Sequence, residues 1–202
     1  MDLTAFFVTL SVIIPAELPD KTFIATLVLS TRYRPVVVWL GVTAAFAVQT
    51  TIAVAAGQIL SLLPETPVQL TTAALFALGS VLMFRGAGDI DPGSEEKEEA
   101  AAVDAVAGRG HGRALTISFL VLFAAEWGDL SQLTTASLSA RYDAPVEVWL
   151  GAWLALSLVA AMAALAGRWL VARVRFSVVR RISGTLLAVL AAATLAEAGR
   201  VW

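Results

Sequence analysis

The sequence predicts an all-α membrane protein. It reads as six transmembrane helices in two inverted three-helix repeats, with helices 1 and 4 broken near the bilayer midplane. Three observations predict this. Of the 202 residues, 58% are hydrophobic, and the mean hydropathy of +0.80 lies well above that of a soluble domain. Six apolar stretches stand at about 3–30, 36–63, 68–84, 114–140, 146–167 and 178–197, against the ~20 apolar residues that cross a bilayer. A charged motif inside the first stretch recurs inside the fourth. No strand-period alternation runs long enough for a barrel.

The first stretch carries PAELPDKT, placing Glu17, Asp20 and Lys21 between Pro15, Pro19 and Thr22 in the middle of an apolar run. It lacks the basic start and the small-residue cleavage pattern of a signal peptide, so it reads as a membrane span. The second stretch opens near Trp39 and holds Gln49 and Gln58, which either line a path or hydrogen-bond between helices. The third is the shortest. DIDPGSEEKEEAAAVDAVAGRGHGR follows, polar, acidic and Gly-bearing, and reads as a flexible linker over 89–113. Its His111 is the only histidine and has no neighbouring ligand, so it reads as inert. The fourth stretch carries AEWGDLSQ, with Glu126, Asp129, Ser131 and Gln132. The fifth opens near Trp149, which like Trp39 reads as an interfacial anchor, and the sixth follows a basic segment. The expected organisation is a first repeat over 1–88, the linker, and a second repeat over 114–202.

The repeat is read from residues that chance rarely matches. ELPDKT, STRYRP and VWLG align with EWGDLS, SARYDAP and VWLG at an offset of 109, which becomes 110 after one inserted residue. Thr26 and Ser30 thereby match Thr135 and Ser139, and Gly41 and Gly57 match Gly151 and Gly167. Three helices per copy is an odd number, so the second copy enters the membrane from the opposite side, as in many secondary transporters.

Basic residues set the orientation. One side holds eleven of them: Arg32, Arg34, Arg85, Lys97, Arg109, Arg113, Arg168, Arg173, Arg175, Arg180 and Arg181. The other holds two, Arg141 and Arg200. The eleven belong in the cytoplasm, with both termini outside. A net charge of −2 argues against nucleic acid. No cysteine is present, which excludes disulfides, thiolate metal sites and thiol nucleophiles.

Each ionised group at the midplane costs ~3 kcal/mol on insertion scales, so four carboxylates there need a use. Glu and Asp at i and i+3 share a helix face. Prolines and Gly128 disturb the helices and free carbonyl oxygens, which is tolerated where backbone lines a cavity. If the two motif helices cross, Glu17, Asp20, Glu126 and Asp129 meet, with the hydroxyls of Thr22 and Ser131 and the amide oxygen of Gln132. That is an all-oxygen cage for a hard divalent cation, Ca²⁺ or Mn²⁺, and not for Zn²⁺ or Cu⁺. Emptied of metal, such a cage holds protons instead, and metal binding releases them. The same four carboxylates would then couple protons to metal. Lys21 matches Leu130; it either neutralises a carboxylate or snorkels to the surface.

The paired motifs resemble the small membrane family of Ca²⁺/Mn²⁺:H⁺ antiporters with E-x-G-D-[KR]-[TS] motifs. That family includes the Golgi manganese transporter of eukaryotes and groups with the lysine-exporter superfamily. The resemblance spans essentially the whole chain. It implies that Glu17, Asp20, Glu126 and Asp129 coordinate the cation with help from Thr22 and Ser131, that the ion is exported against inward protons, and that the chain sits in a bacterial inner membrane. No cofactor beyond the transported ion is implied, the partners are divalent ions, protons and the lipid bilayer, and self-association stays open. Two residues depart from the pattern: Pro19 replaces its Gly and Leu130 its Lys or Arg. Two other classes compete. A lysine-exporter-like carrier of amino acids or organic cations would need a second cation for the substrate carboxylate. An intramembrane enzyme, such as an aspartyl protease or a lipid pyrophosphatase, would leave the glutamates unexplained or would need arginines near the carboxylates.

Overall fold

The computed structural model describes residues 2–18, 21–62, 64–86, 111–173 and 176–199. Among these the chain forms eight helices and no strand: α1 Leu3–Glu17, α2 Lys21–Arg32, α3 Pro35–Leu60, α4 Glu65–Gly86, α5 His111–Ala125, α6 Leu130–Tyr142, α7 Pro145–Arg173 and α8 Phe176–Ala198. The helix ends follow local chemistry. Asp2 caps α1, its carboxylate accepting from the N–H groups of Thr4 and Ala5 at 2.9 and 3.2 Å. Pro35 and Pro145 open α3 and α7, where a missing N–H costs nothing. Asp143, at φ 46°, turns the chain out of α6.

Helices α3, α4 (over Thr66–Arg85) and α7 (over Pro145–Ala166) are each long and apolar enough to cross a membrane. The pairs α1–α2 and α5–α6 each pass as one bent span, with bends of 68° and 73°. Among the described residues that gives three spans, or up to five with each bent pair counted as one, against the six expected. Of the sixth stretch, Arg181–Ala196 stands as a shorter apolar helix within α8. The linker expected over 89–113 lies outside the described residues except for its last three, which belong to α5.

Both expected breaks are present, between Glu17 and Lys21 and between Ala125 and Leu130. Proline chemistry explains part of the first. Pro19 has no N–H to offer the carbonyl of Pro15 four residues back. The Ser183 hydroxyl of α8 donates to that carbonyl instead, at 2.5 Å.

Helices α3 and α7 pack together at the centre; α3 also packs on α5 and α6, and α7 on α1 and α2, while α4 runs along α8. Phe23, Leu29, Val42, Phe46, Leu122 and Val159 fill the core between them. Trp39 and Trp149 each hydrogen-bond across to the other central helix. Trp39 Nε1 donates to the Ser157 carbonyl at 3.0 Å and Trp149 Nε1 to the Thr51 hydroxyl at 2.9 Å, so both tie α3 to α7. Many large apolar side chains face outward, among them Phe7, Val36, Ile59 and Leu165, as a lipid-facing surface requires.

Two glycines bring the bent pairs against the central helices. A Cβ at Gly41 would sit 2.5 Å from the Leu115 carbonyl oxygen and 2.9 Å from the Ser118 Cβ. A Cβ at Gly151 would sit 2.7 Å from the Phe6 carbonyl oxygen and 3.1 Å from the Thr9 Cβ. The two glycines are matched positions, and so are their partners, so one contact is made twice. Gly41→Leu and Gly151→Leu should therefore each destabilise the protein by ~1–3 kcal/mol through overpacking. A lowered melting temperature in detergent is the expected reading.

Candidate metal centre

The two breaks deliver their carboxylates to one place. Glu17 ends α1, Glu126 follows the last residue of α5, and Asp129 precedes α6. One carboxylate oxygen from each of Glu17, Glu126 and Asp129 lies within 4.8 Å of the others. Glu17 and Glu126 are 1% and 3% exposed, and Asp129 is half-buried. Carboxyl groups so buried and so close require positive charge between them, whether protons or a cation. Calcium takes oxygens at ~2.3–2.6 Å, which puts two opposite ligands ~4.6–5.2 Å apart. The observed spacing fits that reach.

The second break is built in detail. Trp127 donates its N–H to the Ala124 carbonyl at 3.4 Å, which leaves the Phe123 carbonyl without its usual helical donor. The Gln49 side chain of α3 supplies one at 3.0 Å. Of the two roles expected for Gln49, this is the hydrogen bond between helices. Gly128 turns the chain at φ 79°, a conformation that costs other L-residues ~1–2 kcal/mol. Asp129 caps α6 by accepting from the Ser131 N–H at 3.4 Å.

Gln132 was expected to offer its amide oxygen to the ion. That oxygen accepts from the Gly128 N–H at 3.2 Å, and the amide nitrogen donates to the Glu126 carbonyl at 2.9 Å. Gln132 thus braces the turn that carries Glu126. Ser131 is buried beside Asp129. Thr22 is fully buried, and its hydroxyl finds no hydrogen-bond partner among the described residues. Asp20 and the side chain of Lys21 lie outside the described residues. Gln58 sits away from the carboxylates, bonded to Ser139.

Two rows of hydroxyls lead away from the breaks. On α2 they are Thr22, Thr26 and Ser30; on α6, Ser131, Thr135 and Ser139. Each row is spaced four residues apart and so lies on one helix face. All but Ser30 are buried. Sequence reasoning paired these positions through the repeat without giving the outer two of each row a role. The signal was the recurrence of small hydroxyl residues at a four-residue step beyond each motif.

Comparison with known proteins identifies the family. A family model described as the divalent cation/proton antiporter GDT1 matches residues 5–91 and 114–201. The chain belongs to the GDT1 family. A GDT1-like protein of Synechocystis sp. is 33% identical over 91% of this chain and 93% of its own length. The rice GDT1-like protein 1, chloroplastic, is 32% identical over 96% of this chain and 62% of its own length. The rice GDT1-like protein 4 is 28% identical over 90% of this chain and 69% of its own length. No solved structure matches the chain significantly. Membership makes this GDT1 protein a multipass membrane transporter of cations, with cations and protons as its transported species. A transporter family is consistent with the chain not being an enzyme.

Proposed function

We propose that this GDT1 protein exports Mn²⁺ or Ca²⁺ from the bacterial cytoplasm in exchange for protons. The observation that carries the reading is the meeting of Glu17 from the first half with Glu126 and Asp129 from the second. Two halves that each bring acidic groups to one buried point form a site that neither makes alone. Asp20, by its place in the repeat, is the fourth carboxylate, and Thr22 and Ser131 add hydroxyl oxygens. An oxygen set without nitrogen or sulfur suits a hard cation.

Exchange follows from competition. A divalent ion neutralises the carboxylates, and when it leaves, protons must take over that task. Both cargoes use the same oxygens, so they bind in alternation. The architecture proposed is six spans in two inverted repeats, over 1–88 and 114–202, joined by the acidic linker. The matched packing of Gly41 and Gly151 supports it, as does the pairing of α1 with α7 and of α5 with α3. The excess of Lys and Arg on one side supports an orientation with both termini outside the cytoplasm.

Proteoliposomes test the reading. With an imposed proton gradient, Mn²⁺ or Ca²⁺ should accumulate on the side from which protons leave, and dissipating the gradient should stop it. Labelled lysine should not be carried. Lysine flux without metal flux would replace this reading with the organic-cation carrier.

A further inference from the structure

Broken membrane helices commonly offer their freed backbone carbonyls to a cation. Here those carbonyls already have donors. At the second break, the Glu126 N–H donates to the Leu122 carbonyl at 3.1 Å and the Trp127 N–H to the Ala124 carbonyl at 3.4 Å. The Phe123 carbonyl between them accepts from Gln49 Nε2 at 3.0 Å. The Glu126 carbonyl accepts from Gln132 Nε2 at 2.9 Å and from the Asp129 N–H at 3.3 Å. At the first break, Pro19 has no N–H for the Pro15 carbonyl, which accepts from the Ser183 hydroxyl.

Gln49 and Ser183 come from far along the chain, and they cross between its halves. Gln49 lies on α3 of the first half and serves the second break; Ser183 lies on α8 of the second half and serves the first. Phe123 and Pro15 each stand two residues before the end of their helix, α5 and α1. The sequence repeat does not account for the shared task, because the residue matching Gln49 is Val159, whose side chain has no hydrogen bond to give. Both donors are held in place. Gln49 and Ser183 are 2% and 1% exposed, and beside Ser183 the Ser80 hydroxyl of α4 donates to the Gly184 carbonyl at 2.8 Å.

Position gives these donors their consequence. The last carbonyls of a helix point along its axis, beyond its end. Glu17 ends α1 and Glu126 follows α5, so the carboxylate cluster lies where those carbonyls aim.

We propose that Gln49 and Ser183 withhold the Phe123 and Pro15 carbonyls from the cation and thereby set its preference between ions. The ion is left with carboxylates and hydroxyls. Ca²⁺ takes ~6–8 oxygens in flexible arrangements and gains from an added one, whereas Mn²⁺ is satisfied by an octahedral set. Withholding carbonyls therefore disfavours Ca²⁺ relative to Mn²⁺. This rests on the reading of the buried carboxylates as the cation site.

Equilibrium binding of Mn²⁺ and of Ca²⁺ to purified protein in detergent tests this. Gln49→Leu and Ser183→Ala each remove one donor and free one carbonyl. Each should raise the affinity for Ca²⁺ relative to Mn²⁺ about fivefold, the scale of one hydrogen bond. Gln58→Leu removes a hydrogen bond between α3 and α6 that lies away from the carboxylates, and it should leave the ratio as it is. The two donors act at separate breaks, so either variant decides the matter if the other does not fold. A purely structural brace would weaken both ions alike. A ratio that stays unchanged, moves toward Mn²⁺, or moves as far in Gln58→Leu overturns the role while leaving the cation site in place. Wild-type protein that binds neither ion overturns the cation site itself, and this role with it.

Discussion

Replacing Glu17 or Glu126 by glutamine should reduce metal flux at least about a hundredfold, since removing one partner of a buried charge cluster costs ~3–5 kcal/mol. Glutamine keeps the shape and one carbonyl oxygen but cannot hold or release a proton. Both glutamates are almost fully buried, and with Asp129 they bring oxygens within 4.8 Å of one another. A divalent ion there would lose a full charge from its ligand set. The fold should survive, because an amide removes like-charge repulsion. Melting curves separate the two effects. The variants should melt near the wild-type temperature without metal and lose the stabilisation that metal gives the wild type. Variants that keep wild-type flux would remove these side chains from the transport path.

Gly128→Val should be nearly as damaging, for a different reason. A Cβ at Gly128 meets nothing within 4 Å, so space is no obstacle. The backbone is, because φ is 79° and a β-branched residue resists that conformation. A penalty of ~1–2 kcal/mol would strain the turn or flatten it. The turn fixes Glu126 and Asp129 together, and Gln132 holds it through Gly128 and Glu126. Apparent metal affinity should fall about tenfold or more, as 1.4 kcal/mol is a factor of ten. Gly128→Asn should keep most of the affinity, since asparagine tolerates positive φ. Binding isotherms of the two variants make the comparison. Equal losses would mean that side-chain volume, and not backbone conformation, matters here.

The features most legible in the sequence were those that violated a rule. Carboxylates and prolines inside an apolar run mark a break and a site, because lipid tolerates neither without a reason. The breaks after Glu17 and Ala125 fall where those residues predicted. Subtler roles were hidden, because they depend on which backbone groups lose their partners. The bracing task of Gln132 is one such role. Only the turn geometry reveals that Gly128 and Glu126 occupy its amide. Gln49 likewise meets a carbonyl that the break itself exposes.

Proton release on metal binding probes the central claim most directly. Purified protein in weakly buffered detergent solution is titrated with Mn²⁺ or Ca²⁺ while pH and bound metal are followed together. Protons should appear in proportion to the metal bound, and both signals should vanish in the Glu17→Gln, Glu126→Gln double variant. Metal that binds without releasing protons, or that binds the double variant as tightly as the wild type, would contradict a shared carboxylate site.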